Sequence, residues 1–545
     1  MGGHLTDPPP RRIFANGVIR TMEGEAEPPQ AVAVVGDRID RVGDLDQLRR
    51  RVPGAEAVDL GGGTMLPGFI DAHNHALATG ESLHGLDVRS PGVASAEALL
   101  QVIAGAARTA PAAAFIHAFG FDHATYPAAS PPTRWDLDRV AGDHPVAVGH
   151  VSGHDVLVNS KVLAERGVDD RVDDPRGGAF LRDGRGVLTG LCQDAAIGVV
   201  LPVMVDVRGH GPNVHTAAPL EDLIDAVERA GRAYLAAGLT TVCDAQVTLR
   251  ELTASRTARD QGRLPVRTAC MPLGPQLDAF EQLGLAGPCG DDALWLGPMT
   301  FDADGSLIGG SAAFSEPYGS LGEFAGTLVW EPQEMTALIG RAHRLGWQVG
   351  VHAQGDRAIQ MALDAFETTM GAAPRPDPRH RIEHAGFPTP EQVDRIARLG
   401  VMTVNQPTYL FDSGDEFLAR LGARAHRLSP LRDELRAGVD VVLSSDADVA
   451  SSRPLDTIAN AVRRRTRCGQ PIGAGQALTV EEAVRAHTVT AARSLRREDR
   501  LGTIGAGKLA DLVVLDRDRL RLPAAALSEV AVAMTVLGGR IVFGA

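Results

Sequence analysis

The chain has 545 residues, 44% hydrophobic and 22% charged, an ordinary balance for a folded globular protein. Glycine and proline together make up about a sixth of it, too little for a mainly disordered or low-complexity chain. Acidic groups outnumber basic ones 68 to 54, leaving −14, so the composition carries no basic footprint for nucleic acid or an anionic membrane.

The longest charge-free apolar runs, such as residues 195–205, reach about half the ~20 residues of a membrane span. Residues 1–12 lack the apolar core of a signal peptide. The five cysteines (Cys192, Cys243, Cys270, Cys289, Cys468) are scattered, odd in number and without CxxC spacing. They read as reduced thiols, and the expected location is the cytoplasm. Only two of the 54 basic residues are lysines, Lys161 and Lys508, which matters below.

In chain order, the first 60 residues predict β structure: Val/Ile-rich runs over 13–22 and 31–42 are broken by the turn dipeptides Asn16-Gly17 and Gly36-Asp37. The last 45 residues look similar, with runs at 511–515 and 534–543. The two ends are expected to pair into a small β-sandwich module, residues 1–64 with 498–545. Between them apolar strands alternate with amphipathic helices, the pattern of a parallel α/β domain over 65–497. Eight strand candidates begin near Met65, Leu239, Pro265, Gly297, Trp347, Arg381, Val401 and Val439. The first connection is far too long for one βα unit, so residues 80–230 are expected to be an inserted subdomain or lid, with a strand of its own at 145–149. The fold class is therefore α/β: a TIM (β/α)8 barrel with a large insertion after strand 1 and a terminal β-sandwich module. Because the insertion follows strand 1, it is expected to cover the catalytic mouth.

The strongest local signal is Leu66-Pro-Gly-Phe-Ile-Asp-Ala-His-Asn-His75. His73 and His75, at i and i+2 after an apolar strand, face the same way, and two converging imidazoles suit a metal such as Zn²⁺. His352, His384 and Asp446 end strands 5, 6 and 8, where barrel active sites lie. Each of these singly also reads as a satisfied core or capping residue. Four histidines and an aspartate on one rim do not.

These segments, with Gly153-His-Asp155, Gly238-Leu-Thr-Thr241, Asp304-Gly-Ser306, His352-Ala-Gln-Gly-Asp-Arg-Ala358, Arg381-Ile-Glu-His384 and 502–515, resemble the amidohydrolase superfamily. The resemblance is to the branch of amidohydrolase family 3 that includes N-substituted formamide deformylase-like proteins, in order from about residue 13 to 543. It implies a metal-dependent hydrolase of non-peptide C–N bonds. His73, His75, His352, His384 and Asp446 match metal positions; Asp446 matches the proton shuttle, and His384 a second-metal ligand or a partner of the bound water. His154 is a catalytic or carbonyl-binding candidate, with Arg357, Gln406 and Asp304 as substrate contacts and Tyr409 as a pocket candidate on the strand 7 rim. Asp71 and Asp356 are candidates for orienting the ligands.

Relatives in this branch often carry a lysine, the source of a bridging carbamate, where this chain has Thr300. Neither Lys161 nor Lys508 lies on a barrel strand, so one Zn²⁺ per chain is expected, unless Asp194, Asp302 or Asp304 bridges a second ion. Gly502-Thr-Ile-Gly-Ala-Gly-Lys508 mimics a P-loop but lacks the following Ser or Thr and the strand–helix context, so nucleotide binding is not expected. The expected substrate is a small linear amide, N-formyl or N-acyl. The alternatives are a cyclic amide hydrolase or deaminase with the same metal site and, from another class, a degenerate binding or regulatory protein. No nucleic-acid or membrane partner is expected; a homodimer is the default guess for assembly.

Overall fold

The computed structural model describes residues 11–24, 27–126, 131–207, 209–318, 324–517 and 524–544. Its centre is a TIM-barrel-type ring of parallel strands. Barrel strands 1 to 8 are Phe69–Asn74, Leu239–Val247, Arg267–Pro272, Met299–Asp302, Val349–Ala353, Arg381–His384, Met402–Asn405 and Val441–Leu443. Strands 1–3 pair in parallel in the order 3-2-1, and strands 4–8 pair in sequence. Two joints link these halves. Leu273, after strand 3, bridges Thr300 of strand 4, and the Asp446 amide after strand 8 donates to the His73 carbonyl at 3.0 Å. The second joint brings two of the predicted functional residues together through their backbones.

The strands are buried on both sides, as packing between an inner core and an outer helical layer requires. The helix Pro390–Leu399 shows how the sequence sets these units: Thr389 and Gln392 form a reciprocal capping box, proline occupies the first turn, and Gly400 closes the end at φ 62°. Its buried face, Val393 and Ile396, turns toward the barrel.

The apolar run from Met65 is not one strand. Thr64–Pro67 pairs with Leu512–Leu515, and Phe69–Asn74 starts the barrel. Gly68 is the switch: a Cβ there would lie 2.3 Å from the Thr240 hydroxyl oxygen, and its amide donates to the Asp511 carbonyl. Strand 4 is likewise split, because Pro298 separates Leu294–Leu296, paired with strand 3, from Met299–Asp302, paired with strand 5.

Near the chain ends, a four-stranded sheet (11–15, 31–35, 38–43, 56–59) and a five-stranded sheet (18–19, 64–67, 512–515, 532–537, 540–543) share an apolar cluster including Phe14, Val32, Leu512 and Val536. Between barrel strands 1 and 2 lies a six-stranded sheet, from Leu86–Asp87 to Leu188–Asp194, with cores of its own. Among the described residues, no helix is long and apolar enough to cross a membrane.

Candidate metal centre

A cavity at the C-terminal mouth of the barrel is lined by His73, His75, His352, His384 and Asp446. Its opposite wall comes from residues inserted between strands 1 and 2, among them Phe119, His154 and His215. Within it, ligating atoms of His73, His384 and Asp446 all lie within 4.8 Å of one another. The His75 Nε2 is 3.0 Å from Asp446 Oδ1, and the His73 Nε2 is 3.3 Å from the same oxygen. The His352 ring packs 4.4 Å from that of His384, but its Nε2 donates to the Gly305 carbonyl at 3.2 Å, turned toward the strand 4 loop.

Each member is held from behind. The His73 Nδ1 donates to Glu383 at 2.9 Å, which leaves its Nε2 lone pair facing the cluster. Glu383 is in turn gripped by Arg381, whose Nε and terminal nitrogen each donate to it at 2.7 Å. Gln406 accepts from the His384 Nδ1 at 2.9 Å and donates to Ser444. Asp71 accepts from the Ser445 amide and hydroxyl and from Asn74, fixing the turn that carries Asp446. His384 and Asp446 sit at φ 70° and 54°. Such left-handed backbone costs a non-glycine residue about 1–2 kcal/mol, so the surrounding bonds impose it.

The electrostatics suit a cation. Asp446 Oδ2 accepts from the Tyr409 hydroxyl, whereas Oδ1 is a buried carboxylate oxygen with no well-formed hydrogen bond. Burial alone would raise the Asp446 carboxyl, but the facing His73 and His75 hold it well below the usual range. Burial opposes protonation of His73, yet Asp446 and Glu383 outweigh it and lift that imidazole to about 10. A proton and a metal ion compete for its Nε2, and either one offsets the same negative charge. His384 is pushed down to about 4 by burial, so it is a neutral nitrogen donor. An orphaned anionic oxygen beside imidazole nitrogens with fixed tautomers is a donor set that fits a divalent transition metal.

The other predicted residues fall into two groups. His154 lines the cavity, and its Nδ1 is 2.5 Å from Asp194. Burial opposes its charge, but Asp194 prevails and lifts it to about 9. Asp302 and Thr300 also line the cavity, and burial raises Asp302 to about 7. Asp304 instead spends its oxygens on the backbone amides of Ala313, Gln354 and Gly355. Asp356 is bound to the Ser315 amide at 2.7 Å, stapling a loop to a helix start, and Arg357 is exposed. Gln406 faces His384 rather than the main cavity. Lys161 pairs with Glu165 on a helix of the inserted segment, and Lys508 donates to the carbonyls of Glu498 and Leu501.

Sequence reasoning missed Glu383 and Arg381 as supports, and Asp244, His215, Arg250 and Glu251 as cavity residues. Glu383 had a signal: it stands two residues after Arg381 and directly before His384, a charge pair on one face of strand 6.

A TIM-type barrel with a metal-competent histidine–aspartate cluster at its C-terminal mouth defines the class. The model of the amidohydrolase family matches residues 56–543, and the chain belongs to that family. It is 30% identical to an N-substituted formamide deformylase of Arthrobacter pascens over 97% of both chains. An uncharacterized metal-dependent hydrolase from Pyrococcus horikoshii OT3 superposes with a TM-score of 0.75 at 26% identity, over 94% of this chain and 99% of that one. A second such hydrolase, from Pyrococcus furiosus, gives 0.72 at 27% identity over 94% and 100%.

Proposed function

We propose that the chain hydrolyses a small linear amide, N-formyl or N-acyl, with one Zn²⁺ held by the histidine–aspartate cluster. The observation that carries this reading is the unsatisfied Asp446 oxygen facing His73 and His75 at the barrel mouth, with neutral His384 alongside. The Arthrobacter relative, named for deformylation of N-substituted formamides, supports the substrate class.

His73, His75, His384 and Asp446 would hold the ion, with His352 beside them. Bound there, a divalent metal supplies a water of pKa near 7 and polarises the scissile carbonyl. Asp446 Oδ1 takes the proton of the attacking water and returns it to the leaving nitrogen, since Oδ2 is engaged by Tyr409. An amine leaves poorly unless protonated, so this transfer matters as much as the attack. His154, held by Asp194, donates from its other nitrogen to the carbonyl oxygen as negative charge develops. The wall built by 80–230 keeps bulk water out, and the two-sheet module of the chain ends braces strand 1 through Thr64–Pro67.

The test is metal analysis together with a panel of N-formyl, N-acyl and cyclic amides. We expect turnover of linear amides that a chelator abolishes and Zn²⁺ restores. Hydrolysis of cyclic amides alone, or protein that binds no metal and hydrolyses none of the panel, would reject the reading.

A further inference from the structure

Outside the metal cluster, four residues that line the cavity carry a buried polar atom with no hydrogen bond; His150 and Asp155 lie side by side on the inserted sheet, and the other two atoms are Asp244 Oδ2 and His215 Nε2. Asp244 is 1% exposed in the C-terminal half of barrel strand 2, and His215 is 4% exposed in the inserted segment. Burying such groups without a partner is costly, so a ligand that satisfies them recovers that cost. Both are pinned by their other atoms. Asp244 Oδ1 accepts from the Ala76 amide at 2.7 Å, one residue after His75. The His215 Nδ1 donates to Glu251 at 3.1 Å, so its Nε2 presents a lone pair.

The charge around these atoms is uneven. Glu81, Asp244 and Glu251 all line this wall, and Arg250 is the guanidinium among them. Arg250 is already committed, with its terminal nitrogens on Glu81 and Glu251 and its Nε on the Thr216 carbonyl. Arg89, also on the cavity wall, is tied to Asp87. What remains around these two atoms is two acceptors and an excess of carboxyl groups over guanidinium; burial raises Asp244 to about 7, and a cation beside it would favour its ionised form. A primary ammonium brings three donors and one positive charge.

We propose that Asp244 and His215 form a subsite for a positively charged amine on the substrate, beside the His75 flank of the metal cluster. The proposal rests on the amide-hydrolase reading and narrows it to linear amides carrying an ammonium group away from the scissile bond. Asp244→Asn tests it closely, because Asn keeps the oxygen that accepts from Ala76 and turns the free acceptor into a donor. His215→Leu is the second variant, removing the other acceptor without adding bulk while Arg250 and Thr248 still hold Glu251.

Two measurements separate the subsite from the chemistry. The first compares N-formyl amides of equal length ending in an ammonium, a hydroxyl or a methyl group. Wild type should favour the ammonium substrate by about tenfold or more in kcat/KM, carried by KM, and each variant should bring the ratio near one. The second is calorimetric binding of hexylammonium against 1-hexanol to metal-loaded protein, which needs no turnover. Hexylammonium should bind more tightly, and Asp244→Asn should erase the difference. If no amide is hydrolysed but this preference appears and responds to the variants, the subsite stands and the hydrolytic reading falls. Equal binding of both probes, a preference for the alcohol or hydroxyl substrate, or a cation preference untouched in both folded variants would overturn the proposal.

Discussion

Asp446 has one oxygen committed to Tyr409 and one facing the histidines, and this division sets its chemistry. Asp446→Asn retains the size and one carbonyl oxygen but cannot take a proton from water. Turnover should fall by about 10²–10⁴-fold in kcat, while circular dichroism and the unfolding midpoint stay near wild type. Near-normal kcat would remove Asp446 from the proton path. Glu383 acts one step back, by fixing the His73 tautomer. Glu383→Gln should weaken metal affinity by about 10–100-fold in a chelator competition, and it should also lower stability, because fully buried Arg381 loses its anion. The residues that gather at the candidate site were legible in the sequence because strand ends and an HxH spacing project onto one rim. Their supports were not, since the bond from His73 on strand 1 to the Glu383 carboxylate on strand 6 is visible only once the barrel brings those strands together.

At the scale of elements, the eight barrel strands were legible from apolar runs at regular intervals, with errors at two breaks. Gly68 and Pro298 lie inside continuous apolar text, and only the close approach of Thr240 and the missing proline amide show where one strand becomes two. The six-stranded inserted sheet was read as a single strand because several of its members are short and half-exposed, which weakens the alternation signal. One element joint is pH-sensitive. His487, at the end of the helix Val480–Ala486, donates from Nδ1 to the Ile70 carbonyl and accepts no bond at its buried Nε2. Burial lowers it to about 4 from the ordinary 6.5. The unfolded chain therefore binds a proton below pH 6.5 that the folded chain refuses, so stability falls as pH drops from 6.5 toward 4. Between pH 6.5 and 5 this group alone should remove about 2 kcal/mol. His487→Gln, which keeps the donor to Ile70, should shrink the loss by that amount in urea unfolding at the two pH values. Equal losses in both proteins would show that other groups dominate.

At the scale of the whole molecule, the distribution of lysine sets an expected metal count. A lysine carbamate needs an amine at the barrel mouth, and both lysines are far from it in role: Lys161 on a helix of the inserted segment, Lys508 capping carbonyls near the chain-end sheets. At strand 4 the cavity meets Thr300, whose hydroxyl cannot form that bridge. Two dications a few ångströms apart repel strongly in a buried pocket unless an anion lies between them. Of the three carboxylates that could replace the carbamate, Asp304 is consumed by backbone amides and Asp194 by His154. Asp302 remains, but it accepts from Gln246 at 3.1 Å, and burial raises it to about 7, which weakens it as an anionic bridge at neutral pH. The tight cluster of His73, His384 and Asp446 is sufficient for one ion with a position left for water. Elemental analysis of protein purified without added metal should therefore give one equivalent of Zn²⁺ per chain. Two equivalents, with Asp302→Asn returning the count to one, would identify Asp302 as the bridge and reject the mononuclear site.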